Sequence, residues 1–172
     1  MILRVSWEHS KAELSYPIGR APRTAVLVPW FRASGEVRVF RRGWTVDAAA
    51  FAPQSIVATW SQLEALIAQD IVSPERSLIV VSNLGDPLLT ADQRDRLWRA
   101  FHVPVFEQIV GRNGELYAAE CEAHDGMHLE DSEASLENYA VERIPCACGK
   151  KSPRIVSAKP VELARAAAAF AR

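Results

Sequence analysis

Two periodicities of apolar residues divide the chain. Short β-rich runs come first, at residues 2–7 and 25–30. Residues 36–40 alternate charged and apolar positions, as a half-exposed strand does. Gly35 and Gly43 bracket them, so a hairpin or a strand between turns is expected. Pro17, Gly19, Pro22, Pro29 and Pro53 interrupt this first third. From Thr59 the period becomes helical. Trp60, Leu63, Leu66 and Ile67 share a face up to Ala68, and Thr59 or Ser61 is placed to cap the start. The run SLIVV at residues 77–81 predicts a buried strand, and residues 83–87 a turn. Thr90 caps a second helix that runs to Phe101. Asp92 and Gln93 sit in its first turn, and Leu97, Trp98 and Phe101 are predicted to face inward. Residues 103–110 return as a strand.

After Gly111 the texture changes. Residues 116–121 and 139–144 predict antiparallel strands, separated by a polar loop rich in Glu, Asp and His. Residues 154–158 predict a last strand. Pro160 opens a C-terminal helix at a position where its missing N–H costs nothing, and the Ala-rich stretch 164–171 continues it. Helix–strand alternation in the first part implies a parallel or mixed sheet with helices packed on it. The expected fold class is therefore α/β, with a small β part near the C-terminus. A length of 172 residues suits one domain, divided into a sheet-and-helix part at 1–110, a β part at 111–158 and a helix at 159–172.

Composition narrows the function classes. Hydrophobic residues make up 49% and charged residues 24%, which fits a globular domain rather than a disordered chain. Lys plus Arg number 20 against 21 Asp plus Glu, so no global field draws the chain to nucleic acid or to an anionic membrane. No apolar run is long enough to span a bilayer. The N-terminal MILRVSWEHSK lacks the apolar core and cleavage site of a signal peptide, so a cytoplasmic location is expected. In a reducing compartment three cysteines are better metal ligands or buried side chains than disulfide partners.

All three cysteines lie in the last third, in the pattern Cys121-x2-His124-x3-His128-x17-Cys146-x-Cys148-Gly149. Three thiolates and one imidazole are a standard tetrahedral set for structural zinc. A close cysteine pair followed by glycine makes a tight turn in which backbone N–H groups can face the sulfurs. The plain alternative is three buried cysteines and two loop histidines. A helix would place His124 and His128 on one face, but Gly126 argues for a turn, and Asp125 stands where a zincin carries its general-base Glu. The expected ligands are Cys121, His128, Cys146 and Cys148, with His124 as the runner-up for the fourth position. Such a set leaves no open coordination position, which points to structure rather than catalysis. The β part is thus expected to be zinc-braced.

The remaining candidates carry less chemistry. His9 and His102 are isolated. Trp30, Trp44, Trp60 and Trp98 fit core or groove positions better than base stacking, because no basic patch accompanies them. Arg38, Arg41 and Arg42 form a short basic run expected to be a solvated face. Phosphate-loop, dinucleotide and nucleophile-elbow motifs are absent, and no catalytic residue is nominated. Glu115, Glu120, Glu122, Asp125, Glu130, Asp131 and Glu133 surround the cysteine cluster, which disfavours nucleic-acid binding through it.

Residues 53–154 resemble the phenylacetate–CoA ligase branch of the adenylate-forming enzymes. ATWSQLEALIAQ is similar to the helix that precedes the nucleotide-site strand. SLIVVSNLGDPLLTADQRDRLWRAFHVPVFEQ resembles the strand, turn, helix and strand that follow. LYAAECEAHDGMHLED looks like the segment after the active-site motif, and PCACGKKSPRI like the Cys-x-Cys-Gly segment that completes a zinc site in some members. The family places a Tyr-Gly-x-Thr-Glu stretch where this chain has Ile109, Val110, Gly111, Arg112 and Asn113. The aromatic, hydroxyl and carboxylate that would meet adenine, phosphate and magnesium are missing. The resemblance extends neither to the family's phosphate loop nor to its C-terminal domain with the catalytic lysine. The resemblance therefore implies a non-catalytic, zinc-binding protein derived from a ligase domain, acting through a partner or ligand. A homodimer or a full-length acyl-CoA ligase would be that partner. The alternative is a small enzyme or accessory subunit that binds ATP, AMP, CoA or an acyl group, with residues 83–87 and 107–112 lining its pocket.

Overall fold

A computed structural model describes residues 13–71, 73–111, 114–130 and 136–158. Nine strands form one mixed sheet: β1 (Thr24–Val26), β2 (Val37–Val39), β3 (Ser55–Ala58), β4 (Ser77–Asn83), β5 (Val105–Val110), β6 (Leu116–Glu120), β7 (Met127–Leu129), β8 (Tyr139–Glu142) and β9 (Arg154–Ala158). Their spatial order is β2-β1-β3-β4-β5-β6-β7-β9-β8. The first five run parallel, and every pair from β5 onward is antiparallel. Three helices are α1 (Val46–Ala50), α2 (Trp60–Ala68) and α3 (Ala91–Phe101).

The parallel half is built on alternation. Ile56, Ala58, Leu78, Val80 and Val105 point to one face, where Leu63 and Leu66 of α2 and Leu97 and Phe101 of α3 cover them. Val26, Val57, Ile79, Val81 and Phe106 point to the other face, where Leu14 and Tyr16 of the N-terminal segment pack. Burial on both faces explains why SLIVV is apolar without a break. Thr24, Ser55 and Ser77 occupy matched register positions at the strand starts. The hydroxyls of Ser55, Ser77 and Tyr16 form a mutual hydrogen-bonded triangle, at 2.9 to 3.2 Å, which satisfies three polar groups at the base of the sheet.

Both long helices begin on full capping boxes. Thr59 accepts from the Gln62 N–H while Gln62 accepts from the Thr59 N–H, and Thr90 and Gln93 repeat the arrangement. α3 ends at His102, an exposed residue whose left-handed φ of 56° stops the helix.

Several expectations change. Residues 36–40 do form a strand, but β2 pairs with β1 in parallel, so no hairpin joins them. α1 and β3 had no separate signal in the sequence. Helices cover only one face of the sheet among the described residues. Trp98 does not face inward; it is 52% exposed. Leu97 and Phe101 occupy the sheet-facing stripe, and one residue further on turns the side chain ~100° round the helix. The β part is not a separate sheet, because β6 continues directly from β5 and the later strands extend the same surface. A short strand, β7, lies inside the polar loop expected between residues 121 and 139. The strand expected at residues 2–7, His9 and the helix expected from Pro160 lie outside the described residues. Trp44 and Trp60 pack against the helix-side core, whereas Trp30 is exposed. Arg38 is exposed and stacks over Phe51, and Arg41 and Arg42 are exposed.

Candidate metal centre

Three segments of the antiparallel half converge on one side of the sheet. Cys121 follows the last residue of β6. His128 is the middle residue of β7, paired in register with Ala119 of β6 and Arg154 of β9. Cys146 and Cys148 lie on the turn between β8 and β9. Strand alternation sends Met127 and Leu129 to the apolar side with Ile109, Ala118 and Ile155, so His128 projects to the opposite face.

The donor atoms of Cys121, His128, Cys146 and Cys148 all lie within 4.8 Å of one another. The sulfurs of Cys121 and Cys146 are 3.7 Å apart, and the Cys148 sulfur is 3.3 Å from His128 Nε2. A tetrahedron with zinc–sulfur bonds of ~2.3 Å and a zinc–nitrogen bond of ~2.0 Å has edges of about 3.5–3.8 Å. The chain alone brings these two pairs close to that spacing. The donor set therefore fits a tetrahedral metal ion of borderline softness.

Local hydrogen bonds position three of the four donors. Gly149, at φ 88°, closes the cysteine turn by donating its N–H to the Cys146 carbonyl at 2.9 Å. The Lys150 N–H points at the Cys148 sulfur at 3.5 Å. His128 Nδ1 is 3.1 Å from the Ser152 hydroxyl, which leaves Nε2 turned toward the cysteines. Burial, helped by the nearby Lys150 charge, lowers the His128 pKa, so the ring is held neutral as a metal ligand must be. Hydrogen bonding from the Cys148 N–H lowers the Cys146 pKa, with Cys148, Cys121 and Arg154 adding to the effect. Burial pushes the Cys121 thiol up to about 12.

His124 is outside this group. Its ring stacks on Phe106 with centroids 4.5 Å apart. The turn around it is tight: His124 has φ 50°, and Gly126 has φ 84°. A Cβ on Gly126 would meet the Ile155 carbonyl oxygen at 2.6 Å, so only glycine lets this turn lie against β9. Two residues with no signal of their own in the sequence complete the surroundings, Ser152 and the buried Arg154. The acidic ring expected around the cluster is only partly there. Glu120 faces the other side of the sheet, where Arg94 of α3 binds both of its oxygens at 2.8 and 3.1 Å.

That second polar cluster joins the two halves. Arg94 also reaches Glu107 of β5 at 3.2 Å, and Glu120 accepts the Glu107 backbone N–H at 2.7 Å. Glu107 is 1% exposed and accepts from the Ser82 hydroxyl and the Leu89 N–H. Burial raises its pKa despite these partners. Glu107 and Glu120 border a cavity of about 580 Å³ between α3 and strands β6, β7 and β9, with Trp98 and Val156 at its rim. A different cavity, of about 490 Å³, lies at the carboxyl ends of β3 and β4 and is lined by Thr59, Ser82, Asn83, Asp86 and Gln93. Ile109 and Val110 are fully buried core residues on opposite faces of β5.

No helix among the described residues is long and apolar enough to cross a membrane. No protein-family model matches the sequence, and no curated protein matches it. Solved structures do match the fold. An open conformation of 2-hydroxyisobutyryl-CoA ligase, in complex with 2-HIB-AMP and CoA, superimposes with a TM-score of 0.58 at 12% identity, over 80% of this chain and 45% of that one. The same enzyme in its thioesterification state gives 0.56 at 14% identity, over 82% and 44%. Its postadenylation state gives 0.51 at 11%, over 80% and 43%. The chain spans a little under half the length of these ligases, and what it shares with them is the fold of part of an acyl-CoA ligase.

Proposed function

We propose that this chain is a zinc-braced, non-catalytic relative of the acyl-CoA ligases that acts by binding a partner. The observation that carries the reading is the convergence of Cys121, His128, Cys146 and Cys148 within 4.8 Å on a ligase-like sheet. Zinc held there would be structural. Four protein donors close its coordination shell, and its role would be to tie β6, β7 and the β8–β9 turn together. Two features support the non-catalytic part. Ile109 and Val110 bury the strand end where the family keeps its nucleotide motif, and they offer no ligand for magnesium or phosphate. The motifs quoted from residues 53–154 favour the phenylacetate–CoA ligase branch as the origin. The partner would be a second copy of the chain or a full-length acyl-CoA ligase, in the reducing cytoplasm that keeps three thiols free.

Metal analysis of protein purified without added metal should give about one zinc per chain. Cys148→Ser protein that keeps its full zinc content would remove the assignment. Light scattering behind size exclusion should show a dimer, or a complex when a full-length ligase is added; a monomer in both cases would end the partner reading. The cavity at the carboxyl ends of β3 and β4 supports a second reading, binding of ATP, AMP or CoA. A thermal shift with any of the three would favour it, and no shift with all three would set it aside.

A further inference from the structure

Arg154 is the largest fully buried side chain among the described residues, at 2% exposure. A buried guanidinium needs compensation, because a charge taken out of water loses its hydration. Its visible partners sit on two different arms of the candidate metal centre. One fork nitrogen contacts the carboxylate and the backbone carbonyl of Asp125, in the loop that runs from Cys121 to His128. The other reaches Glu142 at 3.3 Å and the Ile144 carbonyl at 3.4 Å, on the arm that leads from β8 to Cys146. Arg154 is also the direct register partner of His128 on one side and of Glu142 on the other. Directly opposed residues on neighbouring strands have Cβ atoms ~4.5–5.5 Å apart, so the guanidinium starts beside the imidazole on the face that carries the cysteines.

The accounting of its donors is incomplete in an informative way. The Asp125 and Glu142 side chains are each about half exposed, at 59% and 46%, and salt bridges to such groups repay little of a burial cost. Nε is buried and has no oxygen or nitrogen acceptor. A divalent ion with three thiolates and a neutral imidazole carries a net charge of −1. A cation held against that complex gains a counter-charge that water cannot screen.

We propose that Arg154 is a positioning residue of the metal centre: it clamps the Cys121–His128 loop to the Cys146 arm and offsets the negative charge of the metal–thiolate complex. This rests on the zinc reading above. It predicts a specific split between metal affinity and intrinsic stability. A merely structural arginine would stabilise the metal-free and metal-loaded protein alike. A clamp and counter-charge would act chiefly on the loaded form.

The test uses the whole chain and three variants, Arg154→Met, Arg154→Lys and Asp125→Asn. Zinc affinity is measured by competition with a chromophoric chelator, cobalt is used to report coordination through its visible absorption, and melting is recorded after the metal is stripped. Arg154→Met should bind zinc ~10–100-fold more weakly, the range seen when partners of metal ligands are removed, with a far smaller change in the stripped protein. Arg154→Lys, which keeps the charge without the fork, should recover part of the loss. Asp125→Asn leaves the core untouched and should weaken zinc by a few fold, which keeps the test open if Arg154→Met does not fold. Affinity of Arg154→Met within about threefold of the parent, or of Asp125→Asn equal to it, would overturn the clamp while leaving zinc in place. A parent chain that takes up neither zinc nor cobalt would overturn the metal reading itself, and this inference with it.

Discussion

In the parallel half of the sheet, from β2 to β5, apolar side chains cover both faces: Leu63, Leu66, Leu97 and Phe101 on one side, Leu14 and Tyr16 on the other. In the antiparallel half, from β6 to β8, one face carries an apolar cluster among the described residues. The other presents His128, Arg154 and the cysteines. The same continuous sheet thus passes from a region buried by apolar side chains on both faces to one where an apolar face backs onto a face that carries buried polar groups. Buried polar groups stabilise only when each has a partner, and a half-satisfied network is worse than an apolar core. A bound metal would therefore count most on the antiparallel half, where His128 and the cysteines share one face.

Metal removal should give the largest effect and is the most direct way to break this contrast. Zinc at about a thousand times its dissociation constant would add roughly 4 kcal/mol to stability. Stripping it should lower the melting temperature, and hydrogen exchange should quicken in β7, β8 and β9 while the amides of β3, β4 and β5 stay protected. Equal protection of both halves after stripping would mean that the metal does not brace this region. Acid should act on the same half. Burial sets the His128 pKa below its ordinary 6.5, so the unfolded chain takes up that proton first. The contribution of a neutral His128 is present above that value and is lost as pH falls below it, toward the depressed folded pKa. Melting of the stripped protein should therefore decline as pH drops below 6.5, and a His128→Gln variant should show a flatter profile.

Leu97→Ala tests the other half. Leu97 is fully buried between α3 and the sheet, and truncation at such a site costs about 3 kcal/mol. That loss should be the same with and without metal, because the cavity it opens lies on the opposite side of the sheet from the cysteines. A loss that depended on zinc would show the two halves to be coupled more tightly than the division allows.

The sequence disclosed these halves unequally, for physical reasons. α2 and α3 were legible because a capping threonine, a glutamine three residues on and a helical apolar stripe all agree at Thr59 and Thr90. β4 was legible because a strand buried on both faces reads as an apolar run, Leu-Ile-Val-Val, and β5 because Val105, Phe106, Ile109 and Val110 flank its two polar residues. β3 was not, since Ser-Ile-Val-Ala is too short and too close to Pro53 to stand apart from a loop. The parallel pairing of β1 with β2 was hidden because glycines at 35 and 43 signal turns but not the direction of the returning chain. Convergence of the three cysteines with His128 was legible in their spacing, whereas the displacement of His124 depends on a stacked ring, Phe106, distant in sequence. Arg154 and Glu120 gave no warning. Each is an ordinary charged residue in a strand until the register decides which face it occupies.

The seam between the halves offers a sharper and smaller test. Glu120→Ala would leave the Glu107 N–H without its acceptor and would remove two of the contacts of Arg94. An orphaned buried N–H and a weakened charge-assisted pair together cost about 2 kcal/mol, discounted here because Arg94 is 29% exposed. Denaturant melts should show this cost in both metal states. A split into two transitions would identify the seam as what makes the halves unfold together.

The smallest expected effect falls on His124, and it separates proximity in sequence from participation in the site. His124 lies three residues after Cys121 and four before His128, yet its ring is committed to Phe106. His124→Ala should remove one stacked ring contact, worth about 1 kcal/mol or less because the residue is exposed. Zinc content, and the cobalt absorption bands that report the donor set, should not change. His128→Ala should abolish both, because no second imidazole among the described residues is placed to take over Nε2. If His124→Ala lowered the metal content instead, the loop would have to exchange one histidine for the other. The strained turn at His124 and the Gly126 contact with β9 both oppose that exchange.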